Sequence, residues 1–419
     1  MENKTVKIRP KDKDILRELA GRYAEIANLD VQEKRTDRYY RTNALEQVRP
    51  VVLINEVPWG EIRDDALVNL CSKELAPIEG QLRRALYQWK YFQGDLVIPP
   101  AFRVMKRVRS SGIGVKVEDT EVRGDTGTNI AAHQYKDMLA SEEDLAKLQL
   151  PEISYNREAT EKAFEQAQQV FDGLMPVEIC GHPLQFNIWD LVARFRGVDN
   201  LLLDLAMRPD FMHKTAHRFM EIGDAQFRQY EELDLLDYNQ LFLHCTVACS
   251  NELPAKDFDG KVRRRDVWGR CAAQIFGSVS PEMHDAFDLA YNEKIFGDCG
   301  LLYYGCCEPM DGKIDILRKR FRNLRKVSIT PWADPERAAA AMGSDLVMAA
   351  KPNPAFVSAK TFDPKPVEEE ITTYLEACRR HGTPCEFVLK DISTVANNPD
   401  NLTKWAATVK KVIDKYYED

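Results

Sequence analysis

RKVSITPWADPERAAAAMGSDLVMAAKPNP, residues 325–354, decides the fold. It opens on a short apolar run, Val327–Ile329, and closes on a second, Leu346–Ala350. Both runs are short and nearly continuous in apolar character, so each reads as a strand covered on both faces. Between them lies a helix with its signals in place. Asp334 is suited to cap the first turn, Pro335 to fill the first helical position, and Gly343 to end it. Strand, helix and strand within roughly thirty residues is the unit of a parallel sheet.

The same format recurs in both directions. Strands are expected at Val51–Ile54, Val177–Cys180, Leu241–Leu243, Leu301–Tyr304 and Phe387–Leu389. Helical spacing marks residues 11–30, 157–174, 280–296 and 366–382, and a last helix closes the chain. At least seven such units predict an α/β protein built as a closed (β/α)8 TIM barrel. An open doubly wound sheet would advertise a Gly-rich phosphate turn, and neither G-x-G-x-x-G nor a P-loop occurs. The expected organisation is one barrel domain over residues 1–419. A helical extension covers 1–48, and a β-rich insertion with Gly turns covers 94–150, after the first barrel strand.

Composition removes several function classes. The 419 residues carry a formal charge of −8, with 44% hydrophobic and 30% charged residues. The mild acidity argues against nucleic acid as a main partner, which needs clustered Lys/Arg. The basic run ILRKRFRNLRK (316–326) fits the wet face of a helix. No apolar run is long enough to span a membrane, and the first residues have no apolar signal core. Ten cysteines in a chain of this size read as reduced thiols, so a cytoplasmic location is expected.

In a barrel the chemistry lies at the carboxyl ends of the strands. The residues expected there are Glu56 and Trp59; Cys180 and His182; His244, Cys245 and Cys249; Cys306, Cys307 and Glu308; Trp332 and Asp334; Lys351 and Asn353; Lys390 and Asp391. Packing alone does not require acids, thiols, imidazoles and amines at seven strand ends. Thiolate, imidazole and carboxylate are zinc ligands, which makes His244, Cys306, Cys307 and Glu308 the candidate metal set. The alternative is that these cysteines are small buried hydrophobes. Strand alternation puts Cys306 and Glu308 on one face and Cys307 on the other, unless the chain turns past the strand end. Glu308, Lys390 and Asp391 are the candidate acid–base groups. Glu56, Trp59, His182, Tyr304, Trp332 and Lys351 are candidate substrate contacts, with Trp59 and Trp332 as an aromatic wall. His213 and His217 have chelating spacing but belong to an outer helix.

Three segments carry a resemblance. IWDLVARFRGVDNLLLDLAMRPDFMHKT (188–215), SVSPEMHDAFDLAYNEKIF (278–296) and LLYYGCCEP (301–309) resemble stretches of the uroporphyrinogen decarboxylase superfamily, over roughly residues 160–415. The resemblance implies the same barrel. The R-Q-A-G-R-Y motif of true decarboxylases is echoed by LAGRYAE (19–25), but in a helix ahead of the first strand, and is read as coincidence. The chain looks more similar to the corrinoid-dependent methyltransferase branch, whose members hold zinc by His-x-Cys and a later Cys. Here Tyr304 stands where that histidine would be, Cys306 matches the first cysteine, and CEFVLKDIST (385–394) has no ligand cysteine at the strand end. A bound metal would need a different set that includes Glu308 or His244.

The resemblance therefore implies a methyltransferase of a demethylation system. It would move a methyl group from a small aromatic ether or amine to a corrinoid carried by a partner protein, with zinc assisting. A homodimer is the assembly to test. The alternatives are a cofactor-free decarboxylase or lyase of a multiply charged acid, and a non-catalytic binding barrel.

Overall fold

The computed structural model describes residues 8–123 and 131–418. The part of the expected insertion between these ranges lies outside the described residues. Seven strands form one sheet in the order Val51–Ile54, Cys385–Leu389, Val347–Ala350, Leu324–Ile329, Leu301–Tyr304, Trp268–Cys271, Leu184–Gln185. Every pairing in it is parallel. Parallel neighbours need a crossover, and helices supply it. Ile314–Arg320, Pro335–Met342 and Pro364–His381 each join one strand to the next, and Asp400–Ile413 returns onto the first.

The sheet is an α/β sheet curled into part of a barrel. Among the described residues no ladder joins its edges, Val51–Ile54 and Leu184–Gln185. Phe102–Met105 and Val177–Cys180 form a separate parallel ribbon. Two antiparallel ribbons follow, Val108–Ser110 with Ile153–Tyr155 and Asp119–Arg123 with Ala131–Tyr135. Helices Pro10–Ala27 and Asp30–Asn43 precede the first strand. No helix among the described residues is long and apolar enough to cross a membrane.

Local chemistry accounts for the elements. Asp334 accepts from the backbone N–H groups of Glu336 and Arg337 at 2.9 and 3.2 Å, and Ser280 accepts from that of Met283. Gly382, at φ 68°, ends the Pro364–His381 helix in the left-handed conformation that side chains resist. The Val51–Ile54, Leu301–Tyr304, Val347–Ala350 and Cys385–Leu389 strands are buried throughout, Glu386 in the last of them included.

The concave side of the sheet is filled by the hairpin of Phe242–Leu243 and Thr246–Val247. Two polar anchors hold it. Trp268 donates its indole N–H to the Ala248 carbonyl at 2.7 Å. Lys326 reaches Thr246 Oγ1, the Val247 carbonyl and Glu386 Oε2 at 2.9–3.0 Å, and Glu386 also accepts from the Thr246 hydroxyl. Lys326 and Glu386 are fully buried, so the pair is compensated charge in the core.

Candidate active site

The hairpin brings His244 and Cys245 up to the carboxyl ends of the strands. Four residues there have positive φ: Glu56 (52°), Cys245 (58°), Asp391 (53°) and Gly305 (96°). Three of them are not glycine, and left-handed backbone is costly for them unless the surroundings enforce it. Glu56, Asp391 and Gly305 lie just past strand ends and Cys245 lies in the hairpin turn.

Gly305 has the clearest consequence. It turns the chain after Leu301–Tyr304, so strand alternation stops applying. Cys306 and Cys307 then meet on one side: Lys390 donates to both sulfurs at 3.1 Å, and the sulfurs are 3.8 Å apart. Lys390 also binds Asp391 Oδ2 at 2.6 Å, and Cys307 Sγ lies 3.1 Å from that same oxygen. The Ser328 hydroxyl donates to the Cys306 carbonyl at 2.8 Å and fixes the turn.

Cys306 is 2% exposed, yet its thiol is held far below the usual range. The first cause is the hydrogen bond from Cys307; His244, Arg270 and Lys390 add to it, and together they outweigh burial. Cys307 moves the other way, because its proton bonds the Cys306 sulfur and its site is desolvated. The two thiols are thus pushed in opposite directions, Cys306 toward the ionised form and Cys307 toward the protonated one. Burial pulls the Lys390 ammonium down, but Cys306, Cys307 and Asp391 outweigh it and keep the amine charged. Low-pKa thiolates beside cations are the nucleophilic and metal-binding form of cysteine.

Beside this pair lies a compact donor set. Glu56, His244 and Cys245 present ligand atoms within 4.8 Å of one another. Glu56 Oε1 is 3.5 Å from both Cys245 Sγ and His244 Nε2, and His244 Nε2 is 3.9 Å from Cys306 Sγ. Zinc bonds of about 2.0–2.3 Å set tetrahedral donors about 3.3–3.8 Å apart. Carboxylate, imidazole and thiol, three in number, fit a zinc ion with one open position. The fit has a condition. Burial pushes the Cys245 thiol up to about 12, so a metal must displace that proton. Glu56 Oε2 is fixed by the Asp391 backbone N–H at 2.8 Å, which leaves Oε1 facing the set.

Glu308 lies behind the thiolate rather than in the donor set. It is 1% exposed, and its oxygens accept from the backbone N–H groups of Ala273 (3.1 Å) and Cys306 (3.0 Å). Burial raises its carboxyl from 4.5 to about 7. A raised folded pKa gives stability that is present below the unfolded value and lost as pH rises through the folded one. The window is therefore pH 4.5 to about 7, and the loss across it is about 3 kcal/mol. Denaturant unfolding of Glu308→Gln should reveal it: wild type exceeds the variant by more at pH 5 than at pH 8. An equal difference at both pH values would contradict the assignment.

Arg270 reaches the site from Trp268–Cys271. It is 1% exposed and holds Asn187 Oδ1 at 3.3 Å, while its Nε and Nη2 have no partner among the described residues. Lys351 donates to the Cys245 carbonyl, sits 5.6 Å over the Tyr303 ring and is pushed down to about 8 by burial.

The other expected contacts lie elsewhere. The Tyr304 hydroxyl faces the helix layer, bonded to His284 Nε2 at 2.6 Å and to Asp288. His182 Nε2 is bound to the Lys106 carbonyl at 2.7 Å, with its ring near Tyr230. Trp59 packs on Tyr87 and Phe92. Trp332 is 70% exposed, and no ring contact joins it to Trp59 among the described residues. His213 bonds the Tyr291 hydroxyl, and His217 pairs with Glu221. Sequence reasoning named Cys245 as a strand-end residue but left it out of the metal set. Its adjacency to His244 was the available signal, and the left-handed turn that aims both side chains at Glu56 was not readable.

No protein-family model and no curated protein matches the chain. Among solved structures, a methyltransferase from Methanosarcina mazei is similar at 12% identity and a TM-score of 0.46, covering 92% of this chain and 99% of that one.

Proposed function

We propose that the chain is a methyltransferase that takes a methyl group from a small aromatic ether or amine and delivers it to a corrinoid on a partner protein. The observation that carries the reading is the clustering of Glu56, His244 and Cys245 beside the Cys306 thiolate. Glu56, His244 and Cys245 would hold zinc, which supplies Lewis acidity to the atom that loses its methyl group. Lys390 keeps Cys306 ionised and holds Cys307 against it. Glu308 fixes the Cys306 backbone N–H, which keeps the thiolate aligned with the bound substrate. The same proposal includes a closed eight-stranded barrel over 1–419 with its extension at 1–48 and insertion at 94–150. It also includes a cytoplasmic location and a homodimer.

The experiment mixes purified protein, a reduced corrinoid protein and a panel of methylated aromatics and amines, and follows demethylated product by mass spectrometry. Product is expected, and chelation before mixing should abolish it until zinc is returned. No product across the panel would remove the methyltransferase reading. Full activity after chelation would remove the metal.

A second reading, decarboxylation of a multiply charged acid, is favoured by one observation: the buried Arg270 guanidinium has two nitrogens without a partner among the described residues. A substrate carboxylate would satisfy them. Carbon dioxide release by chelator-treated protein would support it.

A further inference from the structure

The amino ends of the strands carry a different feature. A cavity of about 340 Å³ opens beside Val52 and Gly94, between helix Asp30–Asn43 and helix Asp400–Ile413. Five cationic side chains line it: Lys34, Arg35, Arg38, Arg49 and Lys410. The one carboxylate in the lining is Asp95. Behind the wall, Asp414 pairs with Arg49 and Lys410. In a chain of net charge −8 this is a local reversal of sign.

The cavity is built rather than incidental. Asp95 Oδ2 accepts from the Val52 backbone N–H at 2.8 Å, and its other oxygen accepts from Arg38 at 2.8 Å. Arg49 is 3.8 Å from Asp95. Arg35 is fixed by the Leu96 carbonyl at 2.8 Å and stacks on Trp89 at 4.7 Å. Arg38 and Arg49 thus both approach Asp95, with Arg49 shared with Asp414, and Arg35 lines the same cavity. Burial is the main influence lowering Arg35; Asp95 and Tyr39 oppose it, and Arg38 and Arg49 add a smaller repulsion. Held like charges around a concave space favour a multiply charged anion, and planar guanidiniums match phosphate oxygens best.

We infer that this cavity is a binding site for a small polyanion of the phosphate class, such as a diphosphate, free or on a nucleotide. It lies at the opposite end of Val51–Ile54 from Glu56, so it is separate from the candidate active site.

Calorimetric titration of the full chain at fixed ionic strength tests this, with pyrophosphate as the probe and ADP and malonate in parallel. Saturable one-site binding of pyrophosphate, ADP or both is expected, tighter than that of malonate. Lys34→Gln and Arg35→Gln should each weaken it about tenfold, and the exposed Lys34→Gln should leave thermal melting of the free protein unchanged. Absence of saturable binding, or isotherms that neither substitution alters, would overturn the inference. Malonate binding as tightly as pyrophosphate would overturn the phosphate class.

Discussion

Replacing Cys306 with alanine is expected to lower the proposed methyl transfer by about ten- to a hundredfold, the scale at which groups around a metal site act. Cys306 is buried, and Cys307, His244, Arg270 and Lys390 hold its thiol well below the usual range. Alanine removes the anion and leaves Lys390 bound to Asp391 and a single neutral thiol. The ultraviolet thiolate band near neutral pH should vanish in the variant, and alkylation of the native protein should continue at pH values where ordinary thiols are inert. A variant that keeps both the band and the turnover would place the reactive thiolate elsewhere.

Lys326→Met should destabilise the fold by about 3–5 kcal/mol, because it strands Glu386 as an uncompensated buried charge. Both partners are fully buried and 3.0 Å apart. The double variant Lys326→Met, Glu386→Leu should recover most of the loss, since replacing a whole buried pair is often neutral. Urea denaturation of the single and double variants measures this. The pair also anchors Thr246 and Val247, next to His244 and Cys245, so the single variant should hold metal more weakly as well. A double variant as unstable as the single one would show that cavity formation, not charge, sets the cost.

Apolar strands and capped helices were legible in the sequence because their signals are local. Val51–Ile54, Val177–Cys180 and Leu301–Tyr304 lie where their apolar runs place them. Trp268–Cys271 was not, because Gly269 and Arg270 interrupt its apolar character. Both serve packing at a distance. A Cβ at Gly269 would meet Phe296 at 2.7 Å, and Arg270 points its charge at a thiolate far along the chain. Among the described residues no ladder joins the sheet edges, and the edge strand Leu184–Gln185 is too short to signal itself in the sequence.

The site was partly legible for a related reason. Residue types at strand ends could be collected, and Glu56, His244, Cys306, Cys307, Lys390 and Asp391 do lie together. Which way each side chain faces depends on left-handed turns at Glu56, Cys245, Gly305 and Asp391, and only glycine announces such a turn. The alternation rule thus separated Cys306 from Cys307, whereas the Gly305 turn joins them. Trp332 was grouped with Trp59 because both follow strands. Nothing in the pattern revealed that Trp332 ends exposed.

The central claim is that distant strand ends build one metal–thiolate cup. X-ray absorption at the zinc edge, on protein purified without added metal, tests it most directly. The account predicts close to one zinc per chain, with sulfur at about 2.3 Å beside nitrogen or oxygen at about 2.0–2.1 Å, lost in His244→Ala. Protein that binds no zinc on titration, or binds it through nitrogen and oxygen alone, would contradict it.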